Sequence, residues 1–269
     1  MSPLRSPMST VYSHSRLSSF EQCKQKFQFR YLLEIPEDSE GVEAFVGKRV
    51  HEILERLYQF VGRDQVPSLR RVLERYDAEF DQHYDAERIR IVRTEFKRDY
   101  YHKLGADCLS RFYRRYYPFD QEETLGLEHH VLFDLDHAGE YRVQGFIDRV
   151  CRTKDGTIEI QDYKTGKWVP SRKQLDMERQ LALYQLGLAG EYGTEQPMRL
   201  VWHYLARGQT RTSSRTPEQL DTLRRDTIAL IDEIEATTDF PAQKSNLCNW
   251  CEYKKICPAF DGVPPESPS

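Results

Sequence analysis

The hydrophobic pattern changes from a helical to a strand period near Gly126, and this change limits the folds available to the chain. Before Gly126 apolar residues recur at helical spacing, whereas VLFDLD, YRVQGFIDRV and TIEIQDYK after it are short β-branched segments separated by turns. These segments predict an antiparallel meander. Helices are expected again at about 171–190 and 217–236, around a strand at 199–205. Helices before, inside and after a small mixed sheet predict an α/β architecture.

Composition excludes several classes of protein. The 269 residues are 39% hydrophobic and 30% charged, which rules out collagen-like and wholly disordered chains. The net charge of −4 means that a polyanion must be bound by a local basic surface. The sequence contains neither a signal-peptide core nor eighteen consecutive apolar residues, so we expect a soluble, cytoplasmic protein with no membrane partner.

Both ends of the chain are rich in Ser and Pro. Residues 1–12 and 261–269 are therefore predicted to be disordered. Residues 13–260 are expected to form a single domain, with a helical insertion at 62–120.

One predicted strand, residues 157–164, places an acid and an amine on its apolar face. Strand alternation puts Asp162 and Lys164 on the same side, where a buried ion pair is one interpretation. Asp148 on the preceding strand adds a second carboxylate. It faces Asp162 only if the connection is a three-residue loop or a bulge, so we predict a loop at 154–156 with Gly156 in the left-handed conformation.

Two facing carboxylates beside an ammonium group suit a hard divalent cation, because Mg²⁺ and Mn²⁺ prefer oxygen ligands. Lys164 would hold the attacking water and stabilise charge developing on a phosphate. His51 would add an imidazole nitrogen, although a lone His at the edge of a helix face is more often structural. Glu128 is a further candidate acidic ligand, with a solvated surface position as the preferred interpretation.

Four segments in this order, VHEILERLY, GFID, DYKTGK and RQLALYQLG, resemble the PD-(D/E)xK nuclease superfamily, specifically its RecB-like branch. The resemblance implies a restriction-endonuclease-like core. It also implies the roles of individual residues: His51, Asp148, Asp162 and the main-chain carbonyl of Tyr163 as metal ligands, Lys164 as the catalytic lysine, and Gln180 with Tyr184 as a QxxxY pair that contacts DNA. Without the resemblance, an ordinary half-buried helix is the preferred interpretation of that pair.

Three of the six cysteines are clustered near the carboxyl terminus. Cys248, Cys251 and Cys257 form CxxCxxxxxC within segment 240–258, and either zinc or an iron–sulfur cluster needs a fourth ligand. A subset of the resembled nucleases, including AddB and CRISPR-associated members, binds a 4Fe-4S cluster through such cysteines and one near the amino terminus. The resemblance therefore implies Cys23 as the fourth ligand, although Lys24 replaces the usual Pro, and a staple joining the two ends of the chain. Cys108 and Cys151 are predicted to be buried small apolar residues.

Local basic segments are candidates for nucleic-acid contact. The first is residues 1–31, with five basic groups and one acid, the second is 196–217, and the third is 111–117. In the second segment Trp202 and Tyr204 are interleaved with four arginines, and aromatic rings can stack on unpaired bases. A solvated face is the alternative for each.

The resemblance implies an Mg²⁺- or Mn²⁺-dependent DNA exonuclease that prefers single-stranded ends. DNA repair, recombination and CRISPR adaptation are the expected settings, with a helicase or CRISPR adaptation proteins as partners. Thr165-Gly166-Lys167 lacks the upstream Gly of a phosphate-binding loop, so no nucleotide cofactor is expected. The alternatives are a non-catalytic iron–sulfur protein that binds DNA or acts as a scaffold for a helicase or nuclease, and a zinc-stapled interaction module.

Overall fold

A computed structural model describes residues 10–264 of the chain. The chain divides into two compact units. The first contains the residues up to Ser39, residues 132–145 and the residues from Pro217 onward. The second contains residues 40–131 and 146–216. No helix in the described part of the chain combines the length and the apolar character needed to cross a membrane.

Helices and strands alternate along the described chain. The helices are α1 (His14–Gln22), α2 (Lys24–Phe27), α3 (Val42–Val61), α4 (Leu69–His83), α5 (Arg98–Tyr116), α6 (Arg172–Asp176), α7 (Gln180–Tyr192) and α8 (Pro217–Ala236). The strands are β1 (Tyr12–Ser13), β2 (Glu40–Gly41), β3 (Ile89–Arg90), β4 (Glu122–Asp134), β5 (Arg142–Thr153), β6 (Ile158–Lys164), β7 (Met198–Tyr204) and β8 (Gln209–Ser213). A π-helical turn, Gln28–Leu32, follows α2.

The main sheet is mixed. Its strands run in the order β1-β5-β6-β7-β8, and β4 also pairs with β5. The β5–β6 and β7–β8 pairs are antiparallel, whereas β6 and β7 run parallel because α6 and α7 form the crossover between them. The predicted α/β architecture, a small mixed sheet flanked by helices, is confirmed.

In the second unit, both faces of β6 are covered. On one face Tyr163 contacts the rings of the hydrophobic core made by α3, α4 and α5, including Phe112 with ring centroids 5.3 Å apart. On the other face α7 packs against β6 and β7. Six of the seven residues of β6 are consequently buried, and only Lys164 at its end is partly exposed.

The structure departs from the sequence predictions at three places. The expected helical insertion 62–120 contains two helices, α4 and α5, separated by β3, which pairs in parallel with β2. The helix expected at 171–190 is also two, α6 and α7. The expectation of a disordered amino terminus is wrong at Tyr12, which is buried because it pairs with Val143 of β5. Residues 1–9 and 265–269 lie outside the described part of the chain.

A buried polar network lies on the face of the sheet that α3 and α5 cover. The Arg149 guanidinium lies 3.0 Å from a carboxylate oxygen of Glu122 and donates to Gln161 at 3.1 Å. Its carbon also lies 3.8 Å from the centroid of the Tyr58 ring. The same Gln161 oxygen accepts a hydrogen bond from Nε2 of His203 at 3.2 Å. Each buried polar group therefore has a partner, which removes most of the penalty for burying it.

The His203 ring in this network predicts a pH dependence of stability. Burial, then the nearby Arg149 charge, lowers the pKa of His203 from 6.5 to about 3. Because the folded-state pKa lies below the unfolded value, the neutral ring contributes stability above the unfolded pKa. That contribution is lost as the pH falls from 6.5 toward 3. Between neutral pH and pH 4 we expect a loss of about 3 kcal/mol from this group.

Denaturant unfolding of the wild type and His203→Gln at neutral and acidic pH measures this loss. The variant is expected to lose about 3 kcal/mol less than the wild type over the same interval. His137→Gln replaces an exposed histidine and should leave the wild-type pH dependence intact. Equal acid sensitivity of the wild type and His203→Gln would contradict the prediction.

Candidate active site

The β5–β6 hairpin brings two carboxylates together. Residues 154–156 form its loop, in which Gly156 has φ +85° and donates its N–H to the carbonyl of Thr153. The antiparallel register continues to place Asp148 opposite Asp162. The predicted three-residue loop and the predicted facing of the two acids are therefore confirmed.

Helix α3 presents His51 to these acids. Its Nδ1 lies 3.3 Å from Oδ1 of Asp148, and its Nε2 lies 2.7 Å from the carbonyl oxygen of Tyr163. The N–H of Tyr163 donates to the other oxygen of Asp148 at 2.7 Å. Burial alone would lower the pKa of His51, but the hydrogen bond and charge of Asp148 and the charge of Asp162 outweigh it and raise the pKa to about 9. The imidazole ring, the Asp148 carboxylate and the main-chain N–H and C=O of Tyr163 thus contact one another in a closed circuit.

Lys164 lies at the end of β6, next to the second acid. Its Nζ is 2.8 Å from Oδ1 of Asp162 and donates to the side-chain oxygen of Gln180 at 3.3 Å. The Gln180 amide in turn donates to the Tyr184 hydroxyl at 3.4 Å. Burial lowers the pKa of Lys164, but the charge and hydrogen bond of Asp162, together with the charges of Glu178 and Asp148, outweigh it and raise the pKa above its usual value. The lysine therefore carries its proton at neutral pH and is oriented by two partners.

One carboxylate oxygen in this cluster has no protein partner. Oδ2 of Asp162 is buried and accepts no hydrogen bond from any described residue. Burial raises the pKa of Asp162, and the charge of Lys164 opposes that shift. A buried charged oxygen without a donor is costly, and a divalent cation would satisfy it. With an imidazole, two carboxylates and the Tyr163 carbonyl, the donor set is one that Mg²⁺ or Mn²⁺ accepts.

Glu128 lies closer to this cluster than the sequence indicated. Its carboxylate, a ring nitrogen of His51 and a carboxylate oxygen of Asp148 lie within 4.8 Å of one another. The backbone of Glu128 has φ +43°, a left-handed conformation that costs free energy for a residue with a Cβ and often accompanies functional positions. Glu128 is exposed, in agreement with the preferred interpretation from sequence, but its carboxylate also lies within reach of His51 and Asp148.

Glu178 was not recognised from the sequence. Its carboxylate accepts the N–H groups of Gln180 at 2.9 Å and Leu181 at 3.3 Å, so it caps the start of α7. Burial raises its pKa, and these hydrogen bonds and Lys164 lower it in part. An acid immediately before an apolar helical segment is a capping signal, and it would have identified Glu178 and the break between α6 and α7.

The candidate basic surfaces differ from expectation. Trp202 and Tyr204 are only 1% and 4% exposed, so neither ring can stack on a base.

The basic residues of the three segments mostly have protein partners. Arg199 pairs with Glu159, and Arg215 donates to main-chain carbonyls. In the amino-terminal segment Lys24, Lys26 and Arg30 pair with nearby glutamates. In 111–117, two arginines donate to main-chain carbonyls. Most of these charges are therefore already partnered.

Four cysteines lie around one cavity in the first unit. The cavity has a volume of about 250 Å³ and is lined by Cys23, Cys248, Cys251 and Cys257, among others. Among these four described residues, no three Sγ atoms lie within 4.8 Å of one another. Four sulfurs bound to one zinc ion at about 2.3 Å would be spaced closer than that. The four described sulfurs are therefore not arranged as the ligands of one zinc ion.

Two further cysteines are separate from this cavity. Cys108 and Cys151 are both fully buried, as predicted. Burial raises the pKa of the Cys108 thiol to about 12. The surroundings of Cys151 are polar, however, because its thiol donates to Glu122 at 3.1 Å and its sulfur accepts from Gln161. It belongs to the polar network described above.

The mixed sheet and the histidine, carboxylates and lysine at the end of β6 define an α/β protein with a candidate metal centre. The family model of the PD-(D/E)XK nuclease superfamily matches residues 11–258. The chain therefore belongs to the PD-(D/E)XK nuclease superfamily. Its members are nucleases that use divalent metals, and their substrate is DNA.

A solved structure supports the restriction-endonuclease-like fold. A candidate exonuclease from Eubacterium rectale aligns over 91% of this chain and 88% of its own, with a TM-score of 0.52 and 12% identity. The protein SSO0001 aligns over 88% of this chain and 93% of its own, with 16% identity. Its TM-score of 0.33 is too low to support an argument. None of the curated proteins matches the chain.

Proposed function

We propose that this protein is a divalent-metal-dependent exonuclease that hydrolyses phosphodiester bonds of DNA, with a preference for single-stranded ends. The observation that carries the proposal is the buried, unpartnered Oδ2 of Asp162 beside the ion-paired Lys164. The Eubacterium rectale protein, which resembles this chain in fold, is named as an exonuclease. We take residues 13–260 to act as one nuclease domain, because the family match covers 11–258.

The proposed roles follow from the contacts of each side chain. His51, Asp148, Asp162 and the carbonyl of Tyr163 would hold the ion, and Glu128 is positioned to assist them. A bound Mn²⁺ or Mg²⁺ would supply Lewis acidity at the scissile phosphate. Binding requires His51 to give up a proton, since only the neutral ring coordinates a metal.

Lys164 would act on the water and the phosphate. Its ammonium group can donate to the attacking water and to a phosphate oxygen on which charge develops. The ammonium group also donates to the side-chain oxygen of Gln180 at 3.3 Å. The Tyr184 hydroxyl accepts a hydrogen bond from the Gln180 amide, and the two side chains lie on the same face of α7. Gln180 and Tyr184 are proposed to contact the DNA strand at this face of α7.

Cleavage of single strands labelled at the 5′ or 3′ end tests the proposal. Metal-free wild type should be inactive, and added Mn²⁺ or Mg²⁺ should produce stepwise shortening from one end. Asp162→Asn should lower the rate by at least about 100-fold, because it removes charge from the ion site.

Asp226→Asn makes the same chemical change at an exposed position of α8 and should leave the rate unchanged. Cleavage in the presence of excess chelator, or wild-type activity of Asp162→Asn, would refute the proposal. Binding of DNA without cleavage under every metal condition would favour a non-catalytic DNA-binding protein.

For the cysteine site we propose a 4Fe-4S cluster held by Cys23, Cys248, Cys251 and Cys257. The shared cavity and the N–H groups directed at two of the sulfurs support it. Gln243 donates to Cys23 at 3.5 Å and Ser245 to Cys248 at 3.3 Å, and such hydrogen bonds are a usual feature of thiolates in clusters. A cluster-bound preparation should be brown and should contain iron, whereas a zinc-bound one should be colourless.

The proposed setting is DNA repair, recombination or CRISPR adaptation, with a helicase or CRISPR adaptation proteins as partners. This part of the proposal rests on the family resemblance alone.

A further inference from the structure

A groove in the second unit leads away from the catalytic lysine. A cavity of about 510 Å³ has Lys164 and Glu178 among its lining residues and extends to Trp168. A second depression of about 570 Å³ shares Trp168 and Lys167 with the first and adds Arg207. We call the two together the Trp168 groove.

Trp168 is the most exposed aromatic side chain of this groove. Its indole is 67% exposed, although a tryptophan is normally largely buried. It follows Lys164 by four residues, so the two Cα atoms can be no more than about 14 Å apart. An exposed indole therefore lies within a few nucleotides of the position where the scissile phosphate would bind.

The loop that carries Trp168 is held in place from both sides. Arg207 donates from Nε to the carbonyl of Lys167 at 2.9 Å. On the other side, the Lys167 ammonium lies 4.9 Å from the Tyr100 ring centroid and donates to its hydroxyl. Tyr100 stacks on Phe96 with centroids 3.9 Å apart. The loop is therefore supported by packing, and the indole remains at the surface.

The charge of the outer part of the groove suits an anionic strand, whereas Glu43 and Glu178 line the part beside Lys164. Arg93, Lys167 and Arg207 all line its outer part, where no acid is among the lining residues that the structure describes. Cations beside an exposed aromatic ring are the combination by which proteins bind single-stranded nucleic acid, with phosphates on the cations and bases on the ring. In a duplex the bases are already stacked, so the indole would gain nothing from them.

We propose that the Trp168 groove binds the unpaired nucleotides next to the scissile phosphate, with a base stacked on the indole of Trp168. This inference rests on the proposed nuclease function and deepens it, because it identifies the residue that would select single-stranded over double-stranded substrate. Trp168 is a specificity residue in this scheme, and it has no part in the chemical step.

Equilibrium binding separates stacking from charge. A fluorescein-labelled oligothymidylate, the same strand with abasic units and the corresponding duplex are titrated with full-length protein, with Ca²⁺ in place of Mn²⁺. Trp168→Ala should bind the oligothymidylate about 5- to 100-fold more weakly than the wild type. Its affinity for the abasic strand should change by less than about twofold, because that strand has no bases to stack. Trp168→Phe should retain part of the lost affinity.

Phe60→Ala removes another exposed aromatic ring, on α3, and should bind all three probes as the wild type does. Wild-type affinity of Trp168→Ala for the oligothymidylate would overturn the inference. An equal loss on the abasic strand, or on the duplex, would also overturn it. If the wild type binds through Trp168 but never cleaves with Mn²⁺ or Mg²⁺, the nuclease proposal fails while the groove assignment stands.

Discussion

Replacing Lys164 with alanine is expected to lower the rate of Mn²⁺-dependent DNA cleavage by about 1,000-fold or more. Lys164 supplies the one ammonium group that the structure places next to Asp162, at 2.8 Å. Preorganised donors directed at developing charge are each worth about 100- to 1,000-fold in rate, and a charged donor lies at the upper end. The measurement is the single-turnover cleavage rate at saturating metal.

The alanine variant also leaves the buried Asp162 carboxylate without its partner, so lost stability must be separated from lost chemistry. Lys164→Arg retains the positive charge and the pairing but not the compact ammonium. It should unfold at a temperature close to that of the wild type and still cleave slowly. Lys154→Ala, in the exposed loop of the same hairpin, should cleave at the wild-type rate. Wild-type cleavage by folded Lys164→Ala would remove the lysine from the mechanism.

Replacing Cys23 with alanine is expected to lower the unfolding temperature by about 10–20 °C while the folded fraction keeps its nuclease activity. Cys23 and Cys248 are 225 residues apart, so a metal group that joins them closes nearly the whole chain. By the loop-entropy relation such a closure contributes at most roughly 5 kcal/mol. The measurements are thermal unfolding, iron content, and cleavage rate at a temperature where the variant is folded.

Cys108→Ala provides the matched control. Cys108 is buried, lies far in the sequence from the cysteines of the cavity, and does not line that cavity. It should keep the iron content of the wild type and lose only about 1 kcal/mol of stability. Loss of cleavage by Cys23→Ala with no change in unfolding temperature would contradict the proposed role of the site as a staple. Unchanged iron content would exclude Cys23 as a ligand.

Local sequence patterns predicted the part of the site that lies on one hairpin. Strand alternation and loop parity together indicated that Asp148, Asp162 and Lys164 share a face, and the register confirms this placement. The roles of these residues in metal binding and catalysis remain predictions. The closeness of Glu128 to His51 and the capping contacts of Glu178 were not apparent from the sequence, because they depend on a left-handed residue and on a helix break that the periodicity does not reveal.

The aromatic residues also show that local sequence patterns do not reveal which side chains are covered by distant parts of the chain. Trp202 and Tyr204 lie among arginines in the sequence, which suggested a stacking surface, yet both are buried on the central strand β7. No stacking role was predicted for Trp168 from the sequence, yet its side chain is largely exposed. Whether an aromatic residue can meet a base depends on which neighbours cover it, and those neighbours are distant in the chain.

By itself, the sequence determined the α/β class, the order of most elements, and the facing of two acids across one hairpin, because periodicity and turn chemistry act over a few residues. Only the tertiary structure decided that α3 carries His51 to within 3.3 Å of Asp148. It also decided that β6 is buried on both faces, so that Arg149 and His203 satisfy the polar side chains of the face away from Asp162. These contacts join residues separated by many positions, and they form because the packing of the helices on the sheet leaves each buried charge close to a partner.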